Sequence, residues 1–136
     1  MAEFTINSET HDTQSNLKSL FEFLIDFRNF KSILPEEKVE NFEFTTEQCS
    51  FSIKGVTPMT ITLKEKHPFS YVIFQSDGLA KFNFSLKVNL LGDPDHKGKC
   101  QIDLIGDLNP FIKTMVEKQL SALVNTMSSR LSVLAI

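Results

Sequence analysis

Side chains that commonly bind metal ions are scattered along this chain. His11, His67 and His96 each fall in a separate predicted turn. Cys49 and Cys100 lie on different predicted strands, and neither a His-x-x-x-His nor a Cys-x-x-Cys spacing occurs. Histidines in turns are usually solvated, and two cysteines without a preceding secretory signal are usually reduced thiols. The spacing therefore predicts no metal site and no disulfide.

Neighbouring acidic residues are the next candidates, because a pair of carboxyl groups can act as general acid and base. Glu36–Glu37 and the pair Asp93 and Asp95 fall in predicted turns. Such catalysis needs one carboxyl group in an apolar setting that raises its pKa, and a turn does not offer this. No base can be assigned to a serine or cysteine nucleophile. Gly92 and Gly98 flank a polar turn rather than a phosphate-binding loop. The residues predict no catalytic site and no cofactor.

The composition describes a small protein with a phenyl-rich interior. The chain has 136 residues, which predicts one domain spanning residues 1–136, and it contains 13 Phe, one Tyr and no Trp. Its net charge is −3 and it has no cluster of Lys and Arg, so a nucleic-acid partner is not expected. Apolar runs are far shorter than the roughly 20 residues that cross a bilayer. With no secretory signal, these features predict a cytoplasmic protein without integral membrane association.

The first third of the chain contains one strand pattern and two helical patterns. Residues 3–8 alternate polar and apolar side chains, which predicts a half-buried strand. Across residues 17–25 the apolar side chains recur at spacings of three and four, which predicts a helix capped by Asp12 or Thr13. A second short helical segment follows and ends before Pro35, because a residue that precedes proline is disfavoured in helical geometry.

After Pro35 the apolar period changes to two, as expected for strands. Short connections rich in Gly, Pro and Asp separate the segments, so successive strands must be antiparallel neighbours. Tyr71 and Gln75 share one side of their strand. Whether that side faces inward stays open, because Val72 and Phe74 on the other side are as apolar. The predicted strands span residues 39–44, 50–54, 59–65, 70–75, 81–90 and 99–105.

The last part of the chain returns to a helical period. Apolar side chains recur every three or four residues from Leu108 to Leu134 and form a wide stripe on one side of a long helix. Pro110 is tolerated in the first turn, and Asp107 or Asn109 can cap it. Such a helix has to lie across the apolar face of the sheet. The pattern predicts an α+β fold: a seven-stranded antiparallel sheet wrapped around a long C-terminal helix, with two short helices between strands 1 and 2.

This order of elements resembles the helix-grip domain of the START-like superfamily, also called SRPBCC or Bet v 1-like, and in particular its small bacterial members. The resemblance rests on Phe-Leu-Ile-Asp-Phe-Arg-Asn-Phe at 23–30 with Leu34–Pro35, on residues 49–55 and on residues 106–111. The glycine-rich loop of the plant allergen branch is absent, since residues 46–49 read Thr-Glu-Gln-Cys. The superfamily includes lipid carriers, hormone receptors and polyketide cyclases, so the resemblance is specific for fold rather than function.

The resemblance implies a cavity between the sheet and the C-terminal helix. We expect non-catalytic binding of an apolar or amphipathic small molecule, lipid-like or polycyclic, which enters past residues 27–34. Two alternatives stay open: an enzyme of the polyketide cyclase/dehydratase type, and an interaction protein whose core is filled by closely packed phenyl rings. The ligand and the oligomeric state, monomer or dimer, also stay open. The expected lining residues are Phe30, Leu34, Phe51, Ile53, Met59, Ile61, Leu63, Phe82, Phe84, Leu86, Phe111, Met115, Leu123 and Met127.

Overall fold

One antiparallel sheet dominates the computed structural model, which describes residues 2–35, 37–53, 58–76, 83–108 and 110–136. Within that part of the chain the strands are β1 Ala2–Asn7, β2 His11–Asn16, β3 Val39–Phe44, β4 Gln48–Ile53, β5 Pro58–His67, β6 Tyr71–Ser76, β7 Asn83–Leu91 and β8 Lys97–Leu108. The helices are α1 Leu17–Leu24, a 3₁₀ helix Phe27–Ile33 and α2 Pro110–Ser132. The expected α+β helix-grip architecture is confirmed.

The strand order is β1-β8-β7-β6-β5-β4-β3, and β2 pairs with a different part of β8. All of these pairs are antiparallel. α2 packs against β8, β1, β2 and the 3₁₀ helix. Asn125 and Ser128 of α2 bind the backbone of Glu9, between β1 and β2, at 2.9 and 3.2 Å. Arg130 donates to the carbonyl oxygen of Leu34 at 2.7 Å. These bonds fix the C-terminal half of α2 to the rest of the fold.

β2 is an eighth strand that the sequence pattern does not predict. Its buried side chains, Thr13 and Ser15, alternate with more exposed ones. Because these side chains are polar, the residue types do not show the alternation. The predicted helix cap at Asp12 or Thr13 is therefore wrong. Asn16 caps α1 instead, and its side-chain oxygen accepts a hydrogen bond from Ser19 N at 2.8 Å.

Gly98 of β8 lies where strands β2, β7 and β8 meet. Its N–H donates to Thr13 Oγ1 at 2.9 Å. A Cβ at this position would overlap the backbone oxygen of Leu91 and come within 3.0 Å of Leu17 Cδ1. We expect Gly98→Ala to lower the free energy of unfolding by about 2 kcal/mol, measured by urea titration. Lys97→Ala, an exposed change in the same strand, should cost under about 0.5 kcal/mol. Equal effects of the two substitutions would contradict the close approach at Gly98.

A bulge in β3 changes the face on which its side chains lie. Val39 lies opposite Ile53, and Phe44 lies opposite Cys49. Residues five apart point to opposite faces of a regular strand, whereas directly opposed residues share a face. One extra residue shifts the register between these pairs, and Asn41 adopts φ 57° there. Val39 and Phe44 therefore both lie on the inner face, together with buried Ile53 and Cys49.

The structure also shows which side of β6 faces the interior. Val72 and Phe74 are buried on the inner face. Tyr71 lies on the outer face, where Lys87 Nζ is 4.7 Å from its ring centroid and the His67 ring stacks on it at 5.2 Å. Gln75 is exposed on the same outer side. The polar pair Tyr71 and Gln75 thus faces away from the interior.

Among the described residues, no helix has the length and apolar character needed to cross a membrane.

Candidate functional site

The inner face of the sheet carries most of the predicted lining residues. Leu63 is half-buried beside a register shift between β5 and β6. Phe82 lies outside the described residues. The others alternate with polar or half-exposed neighbours, as a strand with one covered face requires. The fully or almost fully buried members of this set are Phe51, Ile53, Met59, Ile61, Phe84 and Leu86.

Three phenyl rings fill the space beneath the 3₁₀ helix. Phe27 and Phe30 of this helix lie 6.1 Å apart, and both contact Phe74 of β6, with ring centroids at 5.8 and 5.2 Å. All three side chains are buried. Phe30, which was expected to line a cavity, thus packs edge to face against another ring. Leu34, the other lining residue expected from this segment, is buried just beyond the end of the 3₁₀ helix.

α2 presents a row of residues four positions apart that passes from solvent into the core. Phe111 is 76% exposed and Met115 is 62% exposed, so neither packs against the sheet. Gln119 is half-buried, whereas Leu123 and Met127 are buried. We call these five residues the α2 row. Sequence reasoning selected every member except Gln119, because only apolar side chains were counted.

A cleft of about 600 Å³ lies between the 3₁₀ helix and the strands β3 and β4, and we call it the side cleft. Phe42, Phe44 and Cys49 line it from the sheet, and Arg28 and Lys31 line it from the 3₁₀ helix. Phe44 is 47% exposed although the bulge places it on the inner face. This part of the inner face is therefore left uncovered by the helices.

The side cleft continues toward the end of the 3₁₀ helix. An adjoining cleft of about 440 Å³ shares Lys31 and Phe42 with it and adds Leu34, Val39 and Asn41. Leu34 is thus the predicted lining residue that reaches these clefts. Sequence reasoning missed the two phenyl rings because the bulge that turns them inward has no signature in the residue types.

The charged side chains that line the side cleft are Arg28, Lys31 and Glu43. Arg28 forms hydrogen bonds to both carboxylate oxygens of Asp26, the shortest from Nη2 at 2.7 Å. The side-chain hydrogen bonds from Arg28 lower the pKa of Asp26, so this pair stays charged and internally balanced. Within the described residues, no carboxylate forms an ion pair with Lys31. Lys31 can therefore bind a polar or anionic group that enters the cleft.

The two cysteine thiols are buried and separate. Burial raises the pKa of Cys49 to about 12. Burial also raises the pKa of Cys100 to about 11, although its hydrogen bond with Ser128 Oγ, at 4.0 Å, acts in the opposite direction. A thiol with such a pKa is protonated near neutral pH and is a poor nucleophile. Both cysteines are free.

Buried hydroxyl groups in the described part of the chain connect backbone segments. Ser8 Oγ accepts from Ile102 N and donates to Glu9 O. Ser15 Oγ accepts from Ile136 N and donates to Leu134 O at 2.6 Å. Each of these two hydroxyl groups therefore already donates and accepts a hydrogen bond with the backbone. Among these residues, no three His, Cys, Asp or Glu side chains come close enough to share a metal ion.

No protein-family model and no curated protein sequence matches this chain. Solved structures do match it. Norcoclaurine synthase from Thalictrum flavum, in complex with dopamine and hydroxybenzaldehyde, superposes with a TM-score of 0.71 and 9% identity. That match covers 96% of this chain and 85% of the synthase chain.

Two bacterial structures are also similar. A START superfamily protein from Mycobacterium smegmatis has a TM-score of 0.62 and 12% identity, over 93% of this chain and 96% of its own. The protein XoxI from Bacillus cereus has a TM-score of 0.61 and 10% identity, over 97% and 94%. Identities this low carry the fold and no activity. The chain has the START-like, or Bet v 1-like, helix-grip fold.

Proposed function

We propose that the protein binds an apolar or amphipathic small molecule between the inner face of the sheet and α2, without catalysing a reaction. The side cleft is both the entrance and the outer part of this site. The observation that carries this proposal is Phe44, a large apolar side chain on the inner face that the protein's own helices leave half exposed. An apolar molecule placed there would remove this ring from water.

The size and chemistry of the side cleft support a small-molecule site. Small-molecule sites commonly have volumes of roughly 300–1,000 Å³, and the side cleft has about 600 Å³. Phe42 and Phe44, whose centroids are 6.1 Å apart, offer adjacent aromatic surface. Lys31 adds one cation on the opposite wall. An amphipathic molecule can place its polar end at Lys31 and its apolar part against the rings.

The polar groups of the interior support binding rather than catalysis. The buried hydroxyls of Ser8 and Ser15 are already hydrogen-bonded to backbone groups. The raised pKa values of Cys49 and Cys100 keep both thiols protonated. A cyclase-type enzyme needs polar side chains that converge on the substrate. The buried inner-face side chains described for β4 to β7 are hydrocarbon, thioether or thiol.

Native mass spectrometry of the purified protein tests the proposal directly. We expect an adduct of apolar character that organic extraction releases and identifies. An adduct-free protein that also fails to bind an added apolar probe would contradict the proposal, and would favour the alternative of a filled core with an interaction role.

Substitution of Phe44 tests where the molecule binds. We expect Phe44→Ser to weaken binding of the probe 1-methylnaphthalene roughly tenfold, because an aromatic contact is lost from the site. Titration of the probe's fluorescence measures this well, since the chain has no Trp and one Tyr. Leu91→Ser is the matched control. The side chain of Leu91 is 48% exposed, nearly the same fraction as that of Phe44. It lies on β7 and does not line the side cleft. Equal losses in both variants would exclude the side cleft as the entrance.

A further inference from the structure

Gln119 carries a buried polar atom without a partner. Its side-chain Oε1 is shielded from solvent and accepts no hydrogen bond in the structure. An unsatisfied buried acceptor costs free energy comparable to a lost hydrogen bond, so native proteins rarely leave one in place. Each such group calls for an explanation, such as a bound molecule that supplies the missing donor.

The surroundings of Gln119 on α2 offer no donor. Side chains three and four positions away are its neighbours on the helix surface. These neighbours are Met115, Val116, Ala122 and Leu123, all hydrocarbon or thioether. α2 as a whole packs against β8 and β1, whose buried side chains are Phe4, Ile6, Cys100, Ile102 and Leu104. The buried Oε1 of Gln119 thus has no hydrogen-bond donor among its neighbours on α2.

The position of Gln119 in the α2 row is informative. It lies between Met115, which is exposed, and Leu123, which is buried. A molecule that occupies the space between α2 and the sheet at this level of the helix would contact Gln119. Rotating the carboxamide by 180° would exchange its oxygen for its NH₂ group, so one polar end of Gln119 is buried in either orientation.

We infer that Gln119 is a specificity-determining residue that forms a hydrogen bond to an uncharged hydroxyl group of an otherwise apolar ligand. A hydroxyl both donates and accepts, so it satisfies either orientation of the amide. A hydrocarbon of the same shape would leave the amide unpaired and would therefore bind more weakly. The inference rests on the proposed function, since it needs a molecule between α2 and the sheet.

A matched pair of probes tests this inference. 1-Naphthol and 1-methylnaphthalene have nearly the same shape and differ in the hydroxyl group. We expect wild-type protein to bind 1-naphthol more tightly. Gln119→Met keeps the length of the side chain and removes its polar atoms. This variant should lose roughly five- to tenfold in affinity for 1-naphthol and change less than about twofold for 1-methylnaphthalene. Gln14→Met, an exposed glutamine on β2, is the control and should change neither affinity.

A second measurement needs no variant. In wild-type protein the side-chain NH₂ resonances of Gln119 should shift on addition of 1-naphthol and stay in place with 1-methylnaphthalene. Equal losses for both probes in Gln119→Met, or resonances that do not respond to 1-naphthol, would overturn the role of Gln119 while the proposed function stands. Wild-type protein that binds neither probe would overturn the proposed function and this inference with it.

Discussion

Phe74→Ala should lower the free energy of unfolding by about 3–5 kcal/mol. Phe74 is fully buried, and its ring contacts both Phe27 and Phe30 of the 3₁₀ helix. Removing it leaves a void between β6 and this helix that the surrounding rings can fill only partly, and the loss of contacts adds to the lost transfer free energy. Urea titration followed by circular dichroism measures the change.

Phe44→Ala is the control for the loss of a phenyl ring. Because Phe44 is half exposed, we expect this change to cost less than about 1 kcal/mol. A double-mutant cycle of Phe74→Ala with Phe30→Ala should give a coupling of about 0.5–1.5 kcal/mol for the edge-to-face pair. A cost for Phe74→Ala no larger than that for Phe44→Ala would show that the space beneath the 3₁₀ helix is not closely packed.

Stability should fall as the pH rises above about 9, through the two buried thiols. In the folded protein the pKa of Cys49 is raised to about 12 and that of Cys100 to about 11, from the ordinary thiol value of 9.0. Above pH 9 an unfolded chain releases these protons while the folded protein keeps them. The contribution of the two thiols to the stability of the folded protein is thus complete below pH 9. It is lost as the pH rises from 9 toward the folded pKa values of about 11 and about 12. Each thiol should lower the free energy of unfolding by up to about 1.4 kcal/mol per pH unit.

Urea titrations at pH 8 and pH 10 measure this loss. The double variant Cys49→Ala/Cys100→Ala supplies the comparison, because it removes both thiols and keeps every other ionisable side chain. We expect the variant to show a shallower decline with pH than the wild type. Identical declines in the two proteins would mean that the thiols contribute nothing to the alkaline loss of stability.

The sequence predicts the sheet well because burial of one face leaves a period of two in the residue types. In β7, Phe84, Leu86, Val88 and Leu90 are buried and their neighbours are not, as the alternation indicates. The apolar stripe of the C-terminal helix likewise predicts its packing across the sheet. Both inferences use the pattern of apolar residues, and that pattern is strong along β4 to β8.

The parts that the sequence did not predict depend on geometry that residue types do not record. β2 buries Thr13 and Ser15, whose hydroxyls are satisfied by hydrogen bonds, so a polar segment forms a strand with one buried face. The bulge at Asn41 brings Phe44 to the inner face by a single extra residue. Gln119 was passed over as a polar residue in an apolar row. The candidate site depends on these departures from regular patterns more than on the patterns themselves.

The pairing of β1 with β8 has a consequence for how the chain folds. Ala2 lies opposite Leu108, so more than 100 residues must be arranged before this pair forms. Hairpins from β3 to β8 can assemble through local contacts, whereas closing so long a loop carries a large entropic cost. The strand that receives β1 also supports α2. We therefore expect the antiparallel strands β3 to β8 to form early, and β1 and α2 to pack onto β8 late. β8 is then the strand on which the two ends of the chain assemble.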